Sequence, residues 1–402
     1  MQKNSVDDGI GPIARGFAQS GVRLANERAV MTLIGLNPGV SNAELARLSG
    51  LGPQTTSRIV VDLEARELVL RGEVLRGRRG QPATPLFLNP DGAFGIGIGL
   101  GWRHFEVLLF GMSGLTLASI RRSYAWPDFN TIFAEIAAEV ATIRAGMTAQ
   151  QVSRLAGIGV ASPSHLERHL GRLGAPAGQV ELWRGADLAA EVSRAVGEPV
   201  EWFNSGNAAC WAEFIARPEP RPRGMAYFQV GTLVGAGIAI DGQLWQGPTG
   251  NAANLGAILV ADAAGRPCYL HTIASILALQ QRIEAAGGSL PAGDPMNWDW
   301  VSLEPLATDW LDDAGRALAS AVLSTRAVME LNLTIIDGVM PRPIMDRLLE
   351  RVDHHLAAMP YFGADRPTVS LGQMGGSAAA NGAAQLVLFH RFFSRAWNIF
   401  AT

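Results

Sequence analysis

Pro82, Pro85 and Pro90 fall within nine residues, and no helix propagates through such a stretch, because each ring removes an amide donor and clashes with the preceding turn. The 402 residues are thereby cut into a short leading part and a long trailing part whose patterns differ. Residues 77–92 read as the connection, with domains expected over 1–88 and 89–402. Two or three compact units also fit what a chain of this length can bury around separate cores.

The leading part has helical spacing. Ala29, Val30, Leu33 and Ile34 recur on one face between Asn26 and Leu36, and Asn37-Pro38-Gly39 ends that helix. Ser41 is placed to cap a second short helix, with Glu44 three residues on to complete a capping box and Leu45, Ala46 and Leu48 as its buried face. Gly50 stops it. Gly52-Pro53 then opens a third helix through Arg58, Ile59, Val60 and Leu63 to about Arg66, since proline suits the first helical position. Leu68–Leu75 reads as a pair of short strands around Arg71-Gly72.

This order is what a winged helix-turn-helix needs: small Ala46 where two helices cross, Gly50 in the turn, and apolar residues locking the third helix in place. The front of that helix offers Gln54, Thr55, Ser57 and Arg58. Gln and Arg are able to grip base edges bidentately, and Thr and Ser can contact base or phosphate. Thr56 stands where Val or Ile is usual, and its methyl group can still pack. Arg76, Arg78 and Arg79 form a basic wing directed at the DNA backbone or minor groove; the bland alternative is a solvated loop. The net charge of −3 argues by itself against nucleic acid, but it is unevenly divided. Residues 1–90 hold 11 Lys+Arg against 8 Asp+Glu, and the rest hold 22 against 28.

The trailing part alternates strands and helices. Strand-like runs at Phe94–Leu100, Phe105–Phe110 and Leu115–Tyr124 precede a helix over Asn130–Arg144 with Ile132, Ile136, Val140 and Ile143 on one face. Further strands are expected at Ala156–Val160, Val200–Phe203, Met225–Val230, Gly237–Ile240, Leu333–Ile336 and Thr368–Leu371. Helices are expected at Asp187–Val196 and near 268–286, 312–331, 341–356 and 378–396. The pattern is α/β in two lobes. No apolar run is long enough to span a bilayer, and Met1–Asp8 is polar and acidic where a secretion signal would be basic and then apolar, so a cytoplasmic protein is expected. Two cysteines, Cys210 and Cys268, are too few for a disulfide framework and are expected to be reduced thiols.

From about Arg23 onward the chain resembles the ROK family, which comprises repressors, open reading frames and sugar kinases, including bacterial regulators of N-acetylglucosamine and xylose uptake. GRRGQPATPLFLNPDGAFGIGIGLG resembles the family's linker and first strand, and IGVASPSHLERHLGRL its substrate-loop region. FNSGNAACWAE is similar to its Asn-Asp-Ala-Asn-Ala-Ala segment, and VGTLVGAGIAIDGQLWQGPTGNAANLGAILV to its phosphate-loop and sugar-site segment. The resemblance implies a two-lobed α/β sugar-kinase-like fold of the actin, hexokinase and RNase H type behind the winged helix-turn-helix.

The departures from the kinase pattern bear on function. The family's general base, an Asp after Asn, corresponds to Ser205 after Asn204, and a hydroxyl has no comparable basicity at neutral pH. The first strand's Asp-Ile-Gly-Gly-Thr is replaced by Gly99-Leu100-Gly101-Trp102-Arg103. Gly231–Gly235 keeps part of the second phosphate loop. The zinc histidine corresponds to Ala257, and Cys268 with His271 supplies at most two of four ligands, so neither metal nor cofactor is expected. The family's sugar-contacting acid corresponds to Asn254, and a second to His271. Asn204, Ser205, Asn207, Asn254 and His271 would line a pocket for a polyol ring with few formal charges, suited to a modified or acidic sugar if it holds one at all.

The expectation is therefore a non-catalytic DNA-binding regulator, a repressor of carbohydrate genes that binds double-stranded operator DNA and answers to a carbohydrate effector. It is expected to act as a homodimer or higher oligomer, because one short helix reads too few bases alone. Two alternatives stay open: a carbohydrate kinase with an unusual base, and a constitutive DNA-binding protein whose kinase-like part serves only dimerisation.

Overall fold

In the computed structural model the described residues are 19–73, 84–218, 220–291, 293–361 and 365–394. They form two compact units, one of residues up to Asn89 together with Phe392–Ser394, the other from Pro90 to Arg391.

The first unit contains α1 (Gln19–Leu36), β1 (Val40–Ser41), α2 (Asn42–Ser49), α3 (Pro53–Ala65), β2 (Val69–Arg71) and β3 (Pro85–Leu88). α1 extends well upstream of the expected helix and ends where Asn37 Nδ2 donates to the Leu33 carbonyl at 2.9 Å. Ser41 Oγ accepts from the Glu44 amide at 3.2 Å and so caps α2, but the Glu44 carboxylate pairs with Arg47 at 3.7 Å, and only half of the expected capping box forms. Gly50 takes φ +66°, a left-handed conformation that glycine reaches without strain, and Gly52-Pro53 opens α3. Val30, Ile34, Leu45, Thr56, Ile59, Val60 and Leu63 are buried. Replacing Ser41 with Ala is expected to lower this unit's stability by about 1 kcal/mol, readable in a urea melt, because an amide of the first turn loses its acceptor.

The strand pair expected within 68–75 is corrected. β2 pairs antiparallel with β3, Val69 opposite Leu88 and Arg71 opposite Leu86, and β1 lies on the far side of β3. Pro85, read above as part of a linker, begins a strand, a position where proline's missing donor costs least. Arg76, Arg78 and Arg79 lie outside the described residues.

The second unit builds one strand order twice. The first sheet contains β4 (Phe94–Leu100), β5 (His104–Gly111), β6 (Thr116–Ser123), β7 (Leu155–Ser162) and β8 (Val200–Asn204), in the order β6-β5-β4-β7-β8. The second contains β9 (Gly224–Val230), β10 (Val234–Ile240), β11 (Gln243–Leu244), β14 (Leu333–Gly338) and β15 (Thr368–Leu371), in the order β11-β10-β9-β14-β15; β12 (Leu259–Ala261) and β13 (Pro267–Tyr269) pair separately. Each large sheet is an antiparallel meander followed by two parallel strands.

Helices α4 (Ile132–Ala145), α5 (Ala149–Ser153), α6 (Glu167–Leu170), α7 (Ala177–Trp183) and α8 (Leu188–Val196) belong to the first lobe. The face expected of α4, Ile132, Ile136, Val140 and Ile143, is buried, worth about 1.5–3 kcal/mol per side chain before entropy is counted. α9 (Ser205–Ala216) follows β8, and α10 (Ile276–Ala285), α11 (Leu306–Met329) and α12 (Arg342–Ala358) cover the second sheet around fully buried Trp310. α13 (Ala378–Phe392) closes the unit. The helix expected over 268–286 is shorter, because Pro267–Tyr269 joins a strand and Ser275 Oγ caps the helix by accepting from the Ala278 amide.

α9 and α13 pack between the sheets by way of small residues. A Cβ on Gly97 of β4 would lie 2.0 Å from the Ala380 carbonyl oxygen, and one on Gly382 of α13 would lie 1.8 Å from that of Ala208 on α9. Gly95 and Gly99 meet Ala384 and Ala380 in the same way. The alternating glycines of β4 are thus the seat of a helix.

Candidate functional site

A cleft of about 1120 Å³ opens in the second unit, lined by the β4–β5 and β9–β10 turns, the segment after β7, the start of α9, and residues 251–257, 269–277, 289–291 and 293–298. Ser205, the first residue of α9, lines it. Asn204 lines it too, but its polar atoms are engaged: Oδ1 accepts from the Gly206 and Asn207 amides at 2.9 and 3.2 Å, and Nδ2 donates to Ser164 Oγ at 2.9 Å. Ser164 in turn donates to Asn251. Asn254 and His271 line the same cleft. Asn207 does not. It is buried beneath the surface, its Nδ2 donating to the Gly250 carbonyl at 3.0 Å, so it supports the 250–254 loop from below.

His271 meets His169 edge to face at 5.7 Å, and His169 meets buried Trp102 at 5.6 Å. Burial lowers both imidazoles below the usual range, and Arg172 lowers them further, His169 also through His271. Residues 165–172, absent from the expected site, were findable as the only basic cluster in the substrate-loop segment. Cys268 faces the Val260 carbonyl at 3.7 Å, and burial pushes the Cys210 thiol far up. Among the described residues no group of three His, Cys, Asp or Glu is arranged to hold a metal ion.

The two hairpin turns lie where the resemblance places the phosphate loops. In the first, Trp102 is buried, and Arg103 donates to the Ala125 carbonyl and to Gln280 Oε1 of α10. In the second, the Gly231 and Thr232 carbonyls accept from the Ile276 and Leu277 amides at 2.9 and 3.2 Å, and Ser275 takes the Ala278 amide. The amides at the start of α10, which at an open helix N-terminus would be free to bind an anion, already have partners. Nearby, Arg121 binds Glu106 and Asp294, each at 3.0 Å, and Ser377 Oγ at 3.1 Å, tying β6 to the 293–298 segment.

His104 lies beside this network, and burial with the Arg121 charge pushes it down to about 4. The unfolded chain therefore takes up the proton first as pH falls, and stability is lost from about pH 6.5 down to pH 4. A loss of about 2 kcal/mol is expected between pH 7 and pH 5, measured by urea melts, and His104→Gln should flatten that dependence.

On the first unit, Gln54 and Arg58 of α3 are exposed and Thr55 is half-exposed. No carboxylate pairs with Arg58 among the described residues. Ser57 is a different case: its Oγ accepts from Asn42 Nδ2 at 2.6 Å and locks α3 to α2 instead of facing outward. Thr56 is fully buried. Arg71 is held by Glu64 at 2.5 and 2.8 Å, which raises its pKa.

The ROK family domain matches residues 95–389. The chain belongs to the ROK family. This ROK chain is 27% identical to the uncharacterized protein y4fQ of Sinorhizobium fredii over 92% of each chain. It is 31% identical to the bifunctional enzyme NanE/NanK of Brucella melitensis biotype 1 over 205 residues, 50% of this chain and 37% of that enzyme's length. Among solved structures, a ROK family transcriptional regulator, a homologue of the E. coli MLC protein, aligns at TM-score 0.68 and 21% identity over 91% of this chain and 96% of that one. The two-lobed sugar-kinase-like α/β fold is shared with ROK regulators and kinases alike. No helix among the described residues is long and apolar enough to cross a membrane.

Proposed function

We propose that this ROK protein is a DNA-binding transcriptional regulator, a repressor of carbohydrate genes, whose first unit is a winged helix-turn-helix and whose cleft holds a carbohydrate effector. The observation that carries the reading is α3: a helix opened by Gly52-Pro53 and locked to α2 on one face, with Gln54 and Arg58 exposed on the other. Two such helices in a homodimer would read a pseudo-palindromic operator. Thr55 would add a base or phosphate contact, and Arg76, Arg78 and Arg79 would contact the DNA backbone or minor groove.

The cleft supports a binding role more than a catalytic one. Ser205 stands where a general base is needed, and the phosphate positions are occupied by the protein's own groups. The likeness to NanE/NanK favours kinase activity as the second reading. The test is fluorescence anisotropy with DNA from the protein's own promoter region, at several salt concentrations and with a sugar panel. Salt-sensitive, sequence-selective binding that a sugar alters supports the regulator. Selective binding indifferent to every sugar would leave a constitutive DNA-binding protein. Binding no tighter than to random DNA, together with sugar-dependent ATP hydrolysis, would replace this reading with the kinase.

A further inference from the structure

The carboxylates of the cleft are unevenly placed. Glu106 and Asp294 belong to the Arg121 network, and Glu284 accepts from Gln280. Around Ser205, Asn254 and His271 the charged lining groups are Arg168 and Arg172. Glu167 stands 3.7 Å from Arg168 and 3.4 Å from His165, which leaves Arg172 with no carboxylate partner among the described residues. His169 Nδ1 is buried there without a hydrogen-bond partner. Arg172, without a carboxylate partner among the described residues, thus overlooks the end of the cleft where Ser205, Asn254, His169 and His271 lie, with the Arg168–Glu167 pair beside it.

We infer that the cleft is selective for a carbohydrate bearing one negative group, a carboxylate or a phosphate, which Arg172 holds while Asn254, Ser205 and the His169–His271 pair face the hydroxyls. The inference rests on reading the cleft as a carbohydrate site. A neutral polyol leaves Arg172 to water, whereas an anion gains a charge-assisted hydrogen bond and a fork-shaped partner. Arg172 is exposed, so its removal leaves the core intact.

The test is calorimetric titration of the full chain with hexoses, pentoses and N-acetylhexosamines, each beside its aldonate, uronate and phosphate, with inorganic phosphate alone as control. At least one anionic sugar is expected to bind about tenfold or more tightly than its neutral parent, and the carboxylate and phosphate arms identify which anion it is. Arg172→Ala should abolish the preference without moving the melting temperature of the free protein, and Arg172→Lys should restore part of it. Equal or tighter binding of the neutral parents overturns the inference. So does Arg172→Ala binding the anion as well as the parent protein, inorganic phosphate matching every sugar, or no sugar binding at millimolar concentration. Operator binding is measured on the same samples: a chain that binds the anion but no DNA refutes the regulator and leaves this selectivity standing.

Discussion

Gly382→Ala is expected to destabilise the second unit by on the order of 4 kcal/mol, lowering its melting temperature by roughly 10 °C. Within an ordinary helix the same change stabilises by up to about 1 kcal/mol, because alanine restricts the unfolded chain more than glycine does. Here the new methyl would lie 1.8 Å from the Ala208 carbonyl oxygen and 2.3 Å from its carbon, atoms of a buried helix that no rotamer can move aside. α9 would have to retreat from α13 into β10, where Gly206 already abuts Ala236 and Cys210 abuts Gly237. Gly178→Ala is the control. Its Cβ meets nothing within 4 Å, and its melting curve should match or exceed that of the parent. Thermal denaturation of the three proteins side by side decides it. A Gly382→Ala protein melting within 2 °C of the parent would show that the two helices are not seated as described.

The second large effect is expected on DNA. Arg58→Ala and Gln54→Ala should each remove about 1–3 kcal/mol of operator affinity per contacted half-site, so the double variant of a dimer should bind roughly a thousandfold more weakly or worse. Discrimination against random DNA should fall with it. Neither side chain supports the core, so both variants should melt like the parent. Ser57→Ala should do the opposite, costing about 1 kcal/mol of stability by leaving Asn42 Nδ2 without its acceptor while changing base preference little. Anisotropy titrations at fixed salt, with urea melts of the same samples, separate the two kinds of loss. An Arg58→Ala protein that kept full selective affinity would remove α3 from consideration as the reading helix.

Much of the fold was legible because its elements are amphipathic. The Ile132, Ile136, Val140 and Ile143 stripe of α4 announced itself by its period, and the Phe94–Leu100 stretch of β4 by its alternating apolar residues. α9 did not. Its residues from Gly206 to Phe214 are buried on every side, so SGNAACWAEFIA has no polar face to set a rhythm. β3 was hidden by Pro85, which reads as a breaker in isolation and is harmless at a strand start. In the candidate site, single residues were nameable from resemblance, but commitment was not. Nothing in the letters tells that Asn207 turns under the 250–254 loop, that Ser57 is taken by Asn42, or that the α10 amides are satisfied by the Gly231 and Thr232 carbonyls. Those are tertiary facts, each joining residues more than ten positions apart.

Gly95, Gly97 and Gly99 are set by packing, not by chemistry. Their side-chain-free faces accommodate Ala380 and Ala384, a requirement that holds whatever chemistry takes place at the far end of the strand. The seating of that helix is enough to require them, so this fold needs the pattern whether or not the chain transfers phosphoryl groups. The glycines therefore report on architecture, and activity has to be traced through the turn that follows them.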